Sequence, residues 1–188
     1  MITLEARRGQ ADDADRWTAV GLSRTGLARF VREAQRAVGL AGAVDVLLAG
    51  DATLRRLNRQ FRGKDKPTDV LSFPVTEMLT EEHAGDLAIS LETATRQARE
   101  HGHALRDEVR VLLLHGLLHL SGMDHETDRG EMAARESELR ARFRLPSGLI
   151  ARVEDKSFHG SSDRGQRERL DGSRAGARKT SAKKRVKR

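Results

Sequence analysis

The stretch His115-Gly116-Leu117-Leu118-His119-Leu120-Ser121-Gly122-Met123-Asp124-His125 holds three of the chain's seven histidines, spaced H-x₃-H-x₅-H. On an α-helix, residues i and i+4 share a face about one turn apart. His115 and His119 can therefore aim two imidazoles at one point. Gly122 is the residue type that ends a helix in a left-handed conformation. The chain can then turn back and deliver His125 to the same point. Three neutral imidazoles with an open fourth position describe a catalytic zinc site. A closed structural zinc site takes four protein ligands, usually with Cys among them, and this chain has no Cys. Three imidazoles also suit nickel and copper.

Working outward, the apolar run Val109 and Val111–Leu114 precedes the histidines. It predicts one helix from near Leu105 that carries the first two. Upstream, Leu27, Phe30, Val31, Ala34 and Val38 recur at helical spacing between Ser23, a plausible N-cap, and Gly39, a stop signal. Val44–Ala49 reads as a buried strand, and Asp51 as the cap of a helix that reaches about Phe61. Residues 62–69 form a charged loop with Gly63 and Pro67. Val70–Phe73 leaves it as a strand that Pro74 stops, 75–84 reads as loop, and Gly85–Ser90 as a further strand. Ser90 caps a helix over 91–101. A last helix starts at Thr127 or Asp128, acidic then basic, and runs to about Phe143. Ile2–Arg7 predicts an edge strand and Ala11–Asp15 a loop. Strand, helix, strand, helix, strand, strand, then helices is an α+β order: a small mixed sheet packed on helices, with a zincin-like metal helix over one face.

The 188 residues suggest one domain of about 1–150 and a tail. The net charge is +7, but its distribution is uneven. Residues 151–188 hold 13 Lys+Arg and 5 Asp+Glu, a balance of +8, so residues 1–150 stand at −1. From about Asp155, Gly, Ser, Arg and Lys dominate. Such a segment buries too little to offset chain entropy, which predicts a basic, disordered tail over 155–188. No run approaches the roughly 18 apolar residues of a membrane span, and Met1–Gln10 lacks a signal pattern. With no Cys, the expectation is a cytoplasmic protein.

The spacing H-x₃-H-x₂-G-x₂-H matches the zinc signature of metzincin proteases with one difference. Those proteases carry their general base, Glu, directly after the first His. Here that position is Gly116. Zinc still lowers the pKa of bound water to about 7 and acts as a Lewis acid. A phosphodiester suits such a site, because its transition state gathers charge that metal and Arg stabilise. Arg62, Lys64 and Lys66 form the one dense basic loop of the folded part. Arg62 is the candidate phosphate clamp, and Lys64 and Lys66 are candidate contacts to the neighbouring phosphate backbone. Asp124 is a catalytic candidate as a proton relay or a support for a ligand; a helix cap is an equal reading. His83, His101, His103 and His159 lack ligand spacing and read as surface residues. Trp17 and Phe30 read as packing residues.

Three blocks, HGLLHLSGMDHE (115–126), LNRQFRGKDKPTDVLSFP (57–74) and GDLAIS (85–90), together resemble the bacterial YbeY family of zinc-dependent endoribonucleases. The resemblance covers roughly residues 1–150. It implies an α+β fold with a metal-bearing cleft, one zinc ion on His115, His119 and His125, and an arginine important for activity at Arg62. It further implies cleavage of single-stranded RNA in 16S rRNA 3′ end maturation and ribosome quality control, with the small ribosomal subunit as partner. Ser121 stands where members commonly have a bulkier apolar residue, and Phe61 where many have Tyr. Two other readings stay open: a zinc hydrolase of another substrate, protease-like, which Gly116 disfavours, and a non-catalytic, zinc-stabilised ribosome-assembly factor.

Overall fold

Period-two alternation and well-placed caps assemble a four-stranded mixed sheet. The structure, a computed structural model, describes residues 1–5, 17, 19–75 and 82–146. The basic tail, the expected domain end beyond Pro146 and the loop at 11–15 lie outside them. In chain order the elements are β1 (Ile2–Leu4), α1 (Arg24–Val38), β2 (Ala43–Ala49), α2 (Asp51–Arg62), β3 (Val70–Pro74), β4 (His83–Ser90), α3 (Leu91–Glu100), α4 (Leu105–Leu120) and α5 (Glu131–Phe143). The sheet order is β1-β2-β4-β3. β1, β2 and β4 run parallel, with Val46 opposite Ile2 and Leu87. β3 pairs antiparallel with β4 at the edge, where Pro74 costs no ladder hydrogen bond.

Ser23 caps α1 by accepting a hydrogen bond from the Gly26 N–H at 3.1 Å, and Gly39 closes the helix at φ 75°. Ser90 caps α3 in the same way through the Thr93 N–H. Alternation then sends side chains to two faces. Val44, Val46, Leu48, Leu87 and Ile89 pack into the main core with α1, α4 and α5. Ala49, Leu71 and Ala88 face the other way, onto Leu54 of α2. α4 is the hub of the main core. Val109, Val111–Leu114, Leu117 and Leu118 are fully buried, and the helix touches α1, α3, α5, β3 and β4. A helix that is apolar all round is buried all round. Trp17 and Phe30 pack in that core, with Phe30 edge-on to Phe143 at 5.4 Å.

Several boundaries differ from expectation, each for a local reason. Gly50, not Asp51, is the N-cap of α2. Asp51 is the first helical residue, and its carboxylate accepts from the hydroxyls of Ser90 and of Thr93, the latter at 2.7 Å. It thereby ties α2 to the start of α3. β4 begins at His83, so Ala84 is strand rather than loop. α5 starts at Glu131, beyond the expected Thr127 or Asp128, because Asp128 folds a turn whose carboxylate accepts from the N–H groups of Gly130 and Met132. His103 is not a surface residue. Its ring is 12% exposed and meets the buried Glu108 at 2.5 Å.

Candidate metal centre

The site starts from the last two turns of α4. His115 and His119 stand one turn apart with ring centroids 4.8 Å apart and their Nε2 atoms 3.2 Å apart. The helix then closes as the sequence requires. Gly122 takes φ 92°; its N–H donates to His119 O at 3.0 Å, and the Met123 N–H reaches back to Leu118 O at 3.1 Å. This pair of bonds is the Schellman closure that a left-handed glycine permits. The Ser121 hydroxyl donates to Leu118 O as well, at 2.7 Å. After the reversal, the His125 ring lies 5.2 Å from that of His115 and 5.1 Å from that of His119. One ligand atom from each of the three falls within 4.8 Å of the others.

Hydrogen bonds orient two of the rings. His115 Nδ1 donates to Glu136 Oε2 at 2.9 Å, and His119 Nδ1 donates to the Met123 carbonyl at 3.0 Å. Each bond places the proton on Nδ1 and leaves an Nε2 lone pair facing the common point. The third ring offers a buried Nδ1 that makes no hydrogen bond. Burial, then the neighbouring His115 and His125, push the His119 imidazole down to about 4, so it is neutral at pH 7, as a ligand must be. Three convergent imidazoles, two with fixed tautomers and one with an unsatisfied buried nitrogen, fit a divalent metal ion.

Asp124 organises the turn that presents His125. Its carboxylate accepts from the Glu126 N–H at 3.1 Å and the Thr127 hydroxyl at 3.2 Å. The Glu126 N–H is the main reason its carboxyl lies below the usual range; burial opposes it, and the Thr127 hydroxyl, His119 and His125 add to it.

Arg62 arrives from the far side of the sheet. It is the last residue of α2, and Gly63 turns the chain at φ 67°. Its Nη2 lies 3.7 Å from Glu126 Oε1, so the guanidinium stands beside the residue that follows His125. The loop beyond is pinned. Arg55 grips Asp65 with two bonds of 2.8 Å, which holds the Asp65 carboxyl below its ordinary value, and the Asn58 amide donates to Lys66 O at 2.8 Å. Lys64 and Lys66 are exposed on this loop, and their ammonium groups make no hydrogen bond or ion pair among the described residues. The structure thus brings Arg62 to the histidine turn and leaves the two lysines on the surface.

Gly116 has a physical reason to lack a side chain. A Cβ there would stand 2.7 Å from Leu87 Cδ2 and 3.3 Å from Ser72 Oγ. The position after the first histidine faces the sheet at close range and has no room for a carboxylate. The acidic-then-basic pattern of α5 singles out neither Glu136 nor Arg140. Both are buried, at 1% and 3% exposed. A signal did exist: Met132, Glu136, Leu139 and Arg140 recur at i, i+4, i+7 and i+8, so the two charges lie on the apolar stripe.

The family model described as Endoribonuclease YbeY matches residues 16–144. The chain is 52% identical over 133 residues to the endoribonuclease YbeY of Koribacter versatilis, a match covering 71% of this chain and 86% of that protein. To the endoribonuclease YbeY of Solibacter usitatus it is 53% identical over 133 residues, covering 71% and 88%. To that of Nautilia profundicola it is 52% identical over 112 residues, covering 60% and 80%. The family-model match spans α1 through α5 and so includes the histidine turn, Gly116 and Arg62. With the family model matching from 16 to 144 and relatives more than half identical over 133 residues, this chain belongs to the YbeY endoribonuclease family.

Proposed function

We propose that this protein is a zinc-dependent, single-strand-specific endoribonuclease that acts in the cytoplasm on rRNA, in 16S rRNA 3′ end maturation and ribosome quality control, with the small ribosomal subunit as partner. His115, His119 and His125 hold one zinc ion. The observation that carries the reading is convergence. Three imidazoles meet at one point, and an arginine more than fifty residues upstream reaches the same turn. Zinc held there supplies Lewis-acid stabilisation of charge on a phosphoryl oxygen.

The chain's own groups do the rest. The planar fork of Arg62 grips two phosphate oxygens and orients the scissile group. Its present partner, Glu126, is exposed and 3.7 Å away. Such a surface pair contributes little, so an RNA phosphate displaces it readily. Lys64 and Lys66 track the neighbouring backbone. Asp124, with its carboxyl held low by the turn, is a poor base at pH 7; its part is to hold His125 in place. Residues 1–150 form the catalytic domain, and the basic segment from 155 adds nonspecific RNA affinity that falls steeply with salt.

The test is incubation of purified protein with single-stranded fragments of the 16S rRNA 3′ region, with and without chelator, beside His119→Ala. Cleavage that stops with chelator and with the substitution supports the reading. Cleavage that survives both contradicts it.

A further inference from the structure

The three histidines are not held alike. His119 donates to a neutral backbone carbonyl, and His125 Nδ1 makes no hydrogen bond. Of the three, His115 is the one whose ring donates to a carboxylate among the described residues, and that carboxylate is itself clamped. Glu136 Oε2 accepts from His115 Nδ1 at 2.9 Å. Glu136 Oε1 accepts from Arg140 Nε at 2.7 Å, with Arg140 Nη2 also at 2.7 Å. Arg140 Nη1 in turn donates to the Pro146 carbonyl at 2.6 Å. The chain of contacts runs from Pro146, through two opposite buried charges one turn apart on α5, to one histidine of the cluster on α4.

Stability alone gives no reason to bury this pair. Apolar side chains of similar volume in such a place hold a fold as well as a buried ion pair or better. What an apolar pair could not do is accept a proton-bearing nitrogen. A carboxylate behind a metal-bound imidazole fixes its tautomer and ring angle and raises its basicity. An arginine that occupies the other oxygen keeps the carboxylate from turning away.

We propose that Glu136, clamped by Arg140, is a positioning residue for the metal ligand His115, and that the pair sets the protein's zinc affinity. The proposal rests on the reading of His115 as a zinc ligand. It assigns Glu136 and Arg140 no contact with RNA and no proton transfer in the reaction.

The experiment measures zinc affinity of the metal-free protein against a chromophoric chelator, with thermal midpoints of the same metal-free samples. The variants are Glu136→Gln and the volume-matched double Glu136→Leu/Arg140→Leu. The double variant is expected to keep its metal-free midpoint and to bind zinc ~10–100-fold more weakly; Glu136→Gln, which keeps an acceptor but loses the charge, loses less. Nitrogen-15 NMR of the histidine rings supplies a second readout on the unaltered, metal-free protein, where His115 is expected to carry its proton on Nδ1. A double variant that folds and binds zinc within twofold of wild type overturns the proposal, as does a wild-type His115 with its proton on Nε2. If the double variant does not fold, Glu136→Gln with wild-type affinity overturns it instead. If the unaltered protein takes up no zinc, the metal-centre reading falls first and this proposal with it, which separates the two failures.

Discussion

α4 carries His119 in its last turn and α2 ends at Arg62; each is closed by a left-handed glycine, yet they are built in opposite ways. α4 is sunk in the core and apolar on nearly every side. α2 lies on the outer face of the sheet with three buried residues, Thr53, Leu54 and Asn58, and its Arg62 is 48% exposed. The buried helix fixes two imidazoles to within the tolerance of side-chain packing. The surface helix delivers a long, flexible cation that adapts to its ligand. Metal ligation needs the first property and phosphate capture needs the second. Substitutions along the two helices should therefore separate stability from activity.

The largest effect is expected at Gly116. Gly116→Glu supplies the base a peptidase would carry, but forces a carboxylate into the contact with Leu87. It should cost at least ~3 kcal/mol and confer no peptidase activity. Urea unfolding checks this; a wild-type midpoint would mean that α4 does not rest on the sheet as described. Next is Leu114→Ala in α4, a fully buried position, with an expected loss of about 3 kcal/mol in the same assay. The half-buried Leu57 of α2 should lose only about 1 kcal/mol on the same change, so equal losses would erase the contrast between the two helices.

Asp51 sets the next step down. Burial alone would raise its carboxyl, but hydrogen bonds from Ser90 and Thr93 and the charge of Arg96 bring it below its ordinary 3.8. A carboxyl lowered in the folded state stabilises above its unfolded value, and that stabilisation is lost as pH falls through the folded value. Asp51→Ala should therefore cost about 1–2 kcal/mol at pH 7. Its deficit against wild type should shrink below pH 3.8. A deficit that grows on acidification would refute the assignment. Smallest in stability is Arg62→Ala, within ~0.5 kcal/mol of wild type. The same variant should lose at least ~10-fold in RNA cleavage, since a lost charge-assisted bond to phosphate is worth that much or more. Full cleavage by Arg62→Ala would remove the arginine from the site.

Local signals made most of this fold legible. Ser23, Gly39 and Ser90 act through bonds to residues close by in sequence, so their caps could be read directly. Gly122 likewise closes α4 through Leu118 and His119, and the i, i+4 histidines follow from helix geometry. The differences lie where a distant partner decides. Asp51 has a cap's composition, but Ser90 and Thr93, some forty residues on, claim its carboxylate. Glu136 and Arg140 look solvated until α4 is laid against α5. His103 looks exposed until Glu108 is found buried beside it. Arg62 could be nominated from its loop, but its approach to Glu126 required the sheet between them. Periodicity reports which face of an element is buried; it does not report which charged group on another element will meet it.

The central claim is that the histidine cluster holds one zinc ion on which RNA cleavage depends. It is tested most directly by adding zinc stepwise to metal-free protein while following cleavage of a single-stranded RNA. The account predicts no cleavage without metal, a rise that breaks at about one equivalent per chain, and no rise for His119→Ala. Cleavage at full rate by the metal-free protein, or by the substituted one, would contradict it.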